Sequence, residues 1–343
     1  MAINDIIGQG KAIEMLSGIL QRGKVATSYL FCGEPGIGKK TTAINFAKAL
    51  NCQKDRNESG VMSDGIRHEN SLHKTHYPSL NPSLIDACDK CDSCIKIDTG
   101  THPDFLLISP EERQIRIEEI RMIDDALSFK PYEGRKKVVI VDDADTMNIS
   151  ASNAFLKTLE EPSEDSIIML ISSKPDRLPD TIRSRCSRIN FAPLSLESCR
   201  DVIAGRFSGK DLDLIARLSM GRPGIALSGD LLEERTWFLN IFKAMLGAEK
   251  DSWSSREEME RWFELALIFF RDIAVLKITG EASKLINIDL YEYLGKLSKF
   301  ADLKVIIYLN NELNKLKDFL MFNLNKSITW NFTSLLLRKE LSI

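Results

Sequence analysis

At 343 residues, with 43% hydrophobic and 28% charged residues, the chain is long for one hydrophobic core and ordinary for a globular protein, so two or three domains are expected. A formal net charge of −3 is too small to argue for or against a nucleic-acid partner, and a local basic face is compatible with it. No basic-then-apolar leader opens the chain, no apolar run approaches the ~18 residues of a membrane span, and the seven cysteines do not read as a secreted disulfide framework, so a cytoplasmic location without a membrane partner is expected.

Residues 1–190 alternate between strand and helix patterns. SYLFCG reads as a short strand and KKTTAINFAKAL as the helix after it. KKVVIVDD reads as a buried strand, ISASNAFLKTLEE as a helix stopped by Pro162, and SIIMLISS as another strand. Near-continuous apolar strands suit a parallel sheet covered on both faces, hence an α/β class. Residues 53–87 break this pattern with polar residues, His68, His73, His76 and two prolines, and are expected to be a surface insertion. After FAPLS the pattern turns helical. Residues 196–227 hold two or three short helices ending at MGRPGIAL, and from about residue 233 the chain is wholly helical, enough for a bundle of four to six helices. Within it, WFELALIFFRDIAVL carries Glu264, Arg271 and Asp272 and reads as a buried bundle helix that needs partners on several sides. The expected division is 1–190, 191–232 and 233–343.

The stretch GEPGIGK at residues 33–39 fits G-x-x-x-x-G-K and lies between a strand and a helix, the context a phosphate-binding loop (P-loop) requires. From Gly33 onward, Gly36 and Gly38 let the backbone wrap closely with N–H groups inward, and Lys39 reaches the outer phosphates. The hydroxyl that ordinarily holds Mg²⁺ follows that lysine at once. Here the position is Lys40, whose ammonium repels a cation. Thr41 lies one residue further, about 100° round the helix, and is a poor substitute. The plainer alternative has Lys40 swung out to solvent and a water completing the metal shell. In VVIVDDAD, Asp142 ends the strand where a metal-orienting carboxylate belongs, and Asp143 follows as a short candidate base. Both also read simply as acidic residues ending a strand. The loop is thus expected to admit ATP or ADP, with Mg²⁺ poorly held and hydrolysis weak or absent.

CDKCDSC places Cys88, Cys91 and Cys94 at C-x2-C-x2-C, and Cys52, at the end of the first long helix, offers a fourth thiolate. Four soft ligands suit tetrahedral Zn²⁺, and with no open position the metal is structural. His102 is the runner-up ligand, and an iron–sulfur cluster is compatible with the spacing alone. Cys32, Cys186 and Cys199 stand apart, and Cys32 reads as a core residue.

The stretches IIGQGKAIEML, SYLFCGEPGIGKKT, THPDF after the cysteines, VVIVDDADTMNISASNAFLKTLEEPSE and LPDTIRSRCSRINFAPL together resemble the clamp-loader branch of the AAA+ ATPases. The likeness is to the delta-prime kind of bacterial DNA polymerase III subunit, with gamma/tau as the near relative. It is dense over residues 3–228. It implies an α/β AAA+ P-loop module, a small helical lid, and a C-terminal helical collar that joins subunits. It also implies that Arg185, within Ser184-Arg185-Cys186, acts in trans on ATP held by a neighbour. A guanidinium suits that role, although the residue alone reads equally as a surface ion-pair partner. ATPase-active relatives carry a hydroxyl after the loop lysine, a Glu after the first strand-end acid, and an Arg in the lid. This chain has Lys40, Asp143 and Gly224, with Arg222 two positions displaced. A displacement near 1 Å costs about 100-fold in rate, so the shorter Asp143 weakens the case for self-hydrolysis. Implied partners are the gamma/tau and delta subunits in a hetero-oligomer, and, through the assembly, the sliding clamp and primed DNA. The rival readings are an ATPase-active gamma/tau-type subunit and a zinc-stabilised interaction scaffold outside replication.

Overall fold

Continuous apolar runs make fully buried strands, and these build a sheet in the first of two compact units, Met1–Ser198 and Cys199–Ile343. The computed structural model describes residues 1–54, 86–111, 114–247, 252–322 and 324–341. Most of the expected insertion at 53–87, including its three histidines, lies outside the described residues.

In chain order the first unit contains α1 (Gly10–Arg22), β1 (Ser28–Cys32), α2 (Lys39–Asn51), α3 (Asp92–Asp98), β2 (Phe105–Ile108) and α4 (Ile117–Leu127). It continues with β3 (Lys137–Val141), α5 (Ile149–Glu160), β4 (Ser166–Ser172), α6 (Asp180–Arg183) and β5 (Ser187–Asn190), and α7 (Leu196–Ile203) follows. The strands form one parallel sheet in the order β2-β3-β4-β1-β5. Every residue of β1 and β4 is buried. One apolar layer gathers Leu30, Ile120, Ile123, Val139, Phe155 and Ile168. On β1 the intervening positions meet other aromatics, with the Tyr29 ring edge-on to Phe46 at 5.7 Å and Phe31 5.2 Å from Phe191. Asn148 caps α5 by accepting the Ala151 N–H at 2.8 Å, and the helix ends two residues before Pro162. The expected α/β class with a parallel sheet is what forms.

Parallel pairing has a direct consequence for the site. Cys32 pairs with both Ser172 and Asn190, and Val141 with Leu170, so the loops leaving β1, β3 and β4 emerge on one edge of the sheet. The segments entering the strands all lie on the opposite edge. α2 crosses between the two: it begins in the P-loop, and the Asn51 amide at its other end donates to Lys136 O and accepts the N–H groups of Arg135 and Lys136 just before β3. Thirteen residues of helix span about 20 Å.

The second unit is helical throughout its described residues: α8 (Gly209–Leu218), α9 (Pro223–Ser228), α10 (Leu231–Leu246), α11 (Arg256–Thr279), α12 (Tyr291–Phe300), α13 (Leu303–Phe319) and α14 (Lys326–Leu341). α11 is the apolar helix expected to need several partners. It packs against α10, α12 and α13, and it buries Trp262, Phe263, Phe269 and Phe270 in a core shared with Trp253 and Trp330. Its one deeply buried carboxylate, Asp272, accepts the N–H groups of Ile286 and Asn287 at 3.1 and 2.7 Å and the Arg271 guanidinium at 2.7 Å. That pairing meets the desolvation penalty and fixes the connection to α12. No described helix is long and apolar enough to cross a membrane.

Candidate functional site

The P-loop leaves the end of β1 and closes onto α2. Gly33, Gly36 and Gly38 adopt φ of 152°, 76° and 96°, backbone that residues with a Cβ rarely take. At Gly33 a Cβ would lie 2.7 Å from Phe191 O, so the tight approach to β5 also requires glycine. Gln9 braces the loop from below, its amide donating to Ile37 O at 3.1 Å and to Ala192 O at 2.8 Å. Lys39 is buried, and its Nζ donates to Gly33 O and Glu34 O at 2.6 and 2.7 Å. Burial lowers its pKa, with Asp143, Asp142 and Asp145 opposing the shift.

Lys40 does not swing free. Its Nζ stands 3.0 Å from Asp142 Oδ2, so the position of the metal-ligating hydroxyl and the metal-orienting carboxylate are joined by an ion pair. Thr41 is exposed on the first turn of α2, and the Thr42 hydroxyl donates to Gly38 O at 2.9 Å. Asp143 takes a left-handed conformation with φ 45°. Desolvation of its carboxyl raises its pKa, although the residue as a whole is exposed; Asp142 and Asp145 add to the rise, and Lys39 and Lys40 oppose it. Asp145 is a member of this group that its place in VVIVDDAD did not single out. Its Oδ1 accepts the Ser172 hydroxyl at 2.6 Å and the Ser173 N–H at 3.1 Å, tying the end of β4 to the segment after β3. The loop thus offers two ammoniums to a phosphate, while the strand-end carboxylate Asp142 is engaged by Lys40.

At the far end of α2, the sulfur atoms of Cys52, Cys88, Cys91 and Cys94 all lie within 4.8 Å of one another. A tetrahedral zinc with Zn–S bonds of about 2.3 Å needs sulfurs about 3.8 Å apart, so the four thiols suit a zinc site with little movement. Burial raises the Cys52 thiol, and raises Cys94 strongly. Burial alone would raise Cys88 too, but the N–H groups of Lys90 and Cys91 hold it at about 6. The module is anchored to α2 by Lys48, fully buried, whose ammonium pairs with Asp89 and, at 2.8 Å, with Asp98. His102, the runner-up ligand, is not in the cluster. Its Nδ1 accepts the Asp104 N–H at 3.0 Å and its Nε2 lies 3.1 Å from the Ser93 hydroxyl, so both ring nitrogens are engaged elsewhere. Asp104, in the same THPDF stretch, accepts the N–H groups of Tyr132, Glu133 and Gly134 at 2.7 to 2.8 Å. Burial opposes ionisation of this carboxyl, but those bonds hold its pKa below the usual value.

Arg185 sits between α6 and β5, on the edge where strands begin. Its Nη1 donates to Thr181 O at 2.8 Å, and its Nη2 pairs with Glu160 Oε1 at 2.5 Å. Glu160 is the last residue of α5, from the LKTLEEP stretch, a partner that spacing alone did not reveal. The neighbouring arginines are engaged differently: Arg183 with Asp176 and Asp180, Arg188 with Asn190. The first group of site residues (Gly33, Gly36, Gly38, Lys39, Lys40, Asp142, Asp143) thus converges on one edge of the sheet. Arg185 lies on the other.

The family model described as "DNA polymerase III, delta subunit" matches residues 8–81 and 76–195, more than half of the chain. Among curated relatives, the chain is 27% identical over 299 residues to DNA polymerase III subunit delta' of Bacillus subtilis, covering 83% of this chain and 82% of that protein. It is 35% identical over 167 residues to the delta' subunit of Pseudomonas aeruginosa, covering 48% and 43%. It is 29% identical over 300 residues to the tau subunit of B. subtilis, covering 86% of this chain but only 42% of that longer protein. A solved DNA polymerase III gamma subunit-related protein from Thermotoga maritima aligns over 96% of this chain and 99% of its own, at 18% identity and a TM-score of 0.40. The chain, with its parallel sheet and P-loop, belongs to the delta-prime family of DNA polymerase III clamp-loader subunits.

Proposed function

We propose that this clamp-loader subunit hydrolyses little or no ATP at its own P-loop and supplies Arg185 in trans to ATP bound by a gamma/tau-type neighbour, during loading of a sliding clamp onto primed DNA. The observation that carries this reading is the separation of Arg185 from the chain's own loop. The register of β5 against β1 puts Arg185 before Ser187, opposite Tyr29, while the P-loop begins after Cys32. Four residues of strand span about 13 Å, so the guanidinium is directed away from the phosphate site of its own subunit. It stays accessible, with the side chain 35% exposed, and Glu160 and Thr181 O hold the guanidinium in place. A guanidinium so placed offsets the negative charge that develops on phosphate oxygens as water attacks and the bond to ADP breaks.

The Lys40–Asp142 ion pair supports the other half of the reading, because it engages the carboxylate that would orient the metal hydrolysis needs. The four cysteines would hold a structural Zn²⁺ that fixes the strand-start edge. We further read residues 191–232 as a lid and 233–343 as the collar that joins subunits. Exposed Phe319, Met321, Phe322, Ile328, Phe332 and Leu335 offer apolar surface for gamma/tau and delta neighbours. Contacts to primed DNA would then be to backbone phosphates, made by the assembly. The setting is cytoplasmic replication.

The test is reconstitution with gamma/tau and delta, measuring ATPase stimulated by clamp and primed DNA. Arg185→Ala should lower turnover only in the assembly, and normal assembled turnover would overturn the proposal. One observation favours an ATPase-active subunit instead: the loop is complete from Gly33 to Lys39. That reading requires Mg²⁺-dependent turnover by the isolated chain, lost in Lys39→Ala.

A further inference from the structure

P-loop sites hold Mg²⁺ through the hydroxyl after the loop lysine and a carboxylate at a neighbouring strand end. Neither donor is open in this chain. Lys40 occupies the hydroxyl's position and pairs at 3.0 Å with Asp142 Oδ2, the carboxylate in question. Of the two hydroxyls that follow, Thr41 is exposed and Thr42 is bonded to Gly38 O. An arriving divalent ion meets an ammonium tethered to α2 and already bound to its ligand.

We propose that Lys40 stands in for the metal, so that the P-loop binds the polyphosphate of a nucleoside di- or triphosphate without a divalent cation. An ammonium has three N–H donors, and one is spent on Asp142, which leaves two for phosphate oxygens. Asp142 thereby holds Lys40 at the mouth of the loop, the positioning that a bridging metal ordinarily supplies, while the half-exposed side chain leaves its ammonium open to an arriving phosphate. Lys39 is poised in the same way, its Nζ held by two loop carbonyls at 2.6 and 2.7 Å that phosphate oxygens can replace. Both lysines sit in the first turn of a 13-residue helix whose leading N–H groups face the loop. Against them stand Asp142, Asp143 and Asp145. With three carboxylates beside two ammoniums, deleting one positive charge should be felt strongly by an anionic ligand.

The inference rests on the reading that this P-loop does not turn ATP over, and the two fail differently. Isothermal titration of ADP into the full-length chain is run with 5 mM-scale Mg²⁺, on the order of cellular and assay levels, and in buffer freed of divalent ions by a resin, so that the thiol cluster is not challenged by a soluble chelator. Wild type is expected to bind ADP in the metal-free buffer, with Mg²⁺ changing the Kd by less than about threefold. Lys40→Thr should weaken metal-free binding by about tenfold or more and make Mg²⁺ beneficial, while Lys40→Arg, which keeps the charge, should stay within about threefold of wild type. Binding by wild type that improves about tenfold with Mg²⁺ overturns the proposal whether or not the variants fold. So does the absence of ADP binding in both buffers, or unchanged metal-free binding by a folded Lys40→Thr. ATP turnover in the same samples addresses the non-hydrolysing reading separately: Mg²⁺-dependent hydrolysis contradicts that reading, whereas Mg²⁺-dependent ADP binding without turnover contradicts only the metal-free proposal.

Discussion

The two edges of one sheet carry opposite chemistry. Where strands end, glycines, Lys39 and the strand-end aspartates keep the outline of a nucleotide site, yet Lys40 closes its metal position through Asp142. Where strands begin, the side chains are anchored: Asn51 and Asp104 bind the chain before β3, the four cysteines gather after α2, and Glu160 holds Arg185. α2 joins the two edges, with the loop lysine at its start and a cysteine just past its end. The difference teaches that the two edges of one sheet can be built for different ends, an open glycine loop with a lysine-engaged aspartate on one and a tightly anchored platform carrying Arg185 on the other. Under the proposed function, the first has lost its own hydrolysis and the second serves a neighbour.

The largest expected effect comes from dismantling that platform. Removing bound metal with a chelator, or making Cys88→Ser with Cys91→Ser, should lower the melting temperature of the sheet unit by about 10 °C or more, since structural zinc binding carries on the order of 10 kcal/mol. An unchanged melt in a metal-loaded sample would break the contrast between the edges. Next is Asp104→Asn, expected to cost about 2–3 kcal/mol because three N–H groups lose an ionised acceptor. The folded-state pKa of Asp104 is held below its ordinary 3.8, so this stability is present above about pH 4 and is lost as pH falls through the folded value. Urea melts from pH 7 downward should show a shallower acid limb in the variant. Glu160→Gln removes an exposed ion pair worth about 0–1 kcal/mol, so its melt should match wild type. Assembled ATPase should change by less than about threefold, as suits a residue that holds the arginine and touches no phosphate. Smallest of all, Lys40→Thr should leave both the melt and the assembled turnover unchanged within about 10%, as for an exposed pair outside the reacting site. A large change in assembled turnover in either direction would contradict this expectation, because it would tie the chain's own P-loop to the turnover of the assembly.

Much of this was legible in the residues. The strands are readable because burial on both faces leaves unbroken apolar runs such as SIIMLIS, and the P-loop because its backbone demands glycines at fixed spacing. Cysteine spacing pointed to the thiol cluster, since a tight turn must place Cys88 and Cys91 on one centre. Partnerships between distant segments were not legible. Nothing local says that Lys40 reaches Asp142, that Glu160 meets Arg185, or that Gln9 braces Ile37. His102 shows the same limit: its spacing admits a metal role, and only the fold reveals both nitrogens committed to Asp104 and Ser93. In the bundle, LYEYLGKLSKFADLKVIIYLNNELNKLKDFL has one continuous helical period, yet it divides into α12 and α13 where Ala301 turns extended and Asp302 begins the next helix. Periodicity records which face is apolar and is blind to such a break.

Whether Arg185 acts on a neighbour's nucleotide decides the proposed function. The most direct measurement compares Arg183→Ala, Arg185→Ala and Arg188→Ala as assemblies with gamma/tau and delta, at matched subunit content, by steady-state ATPase with clamp and primed DNA. Loss of an arginine finger costs on the order of 10³-fold or more at the site it serves, so Arg185→Ala should remove that site's share of turnover while the other two retain theirs. Full turnover by an intact Arg185→Ala assembly, or an equal loss in all three, would contradict the account.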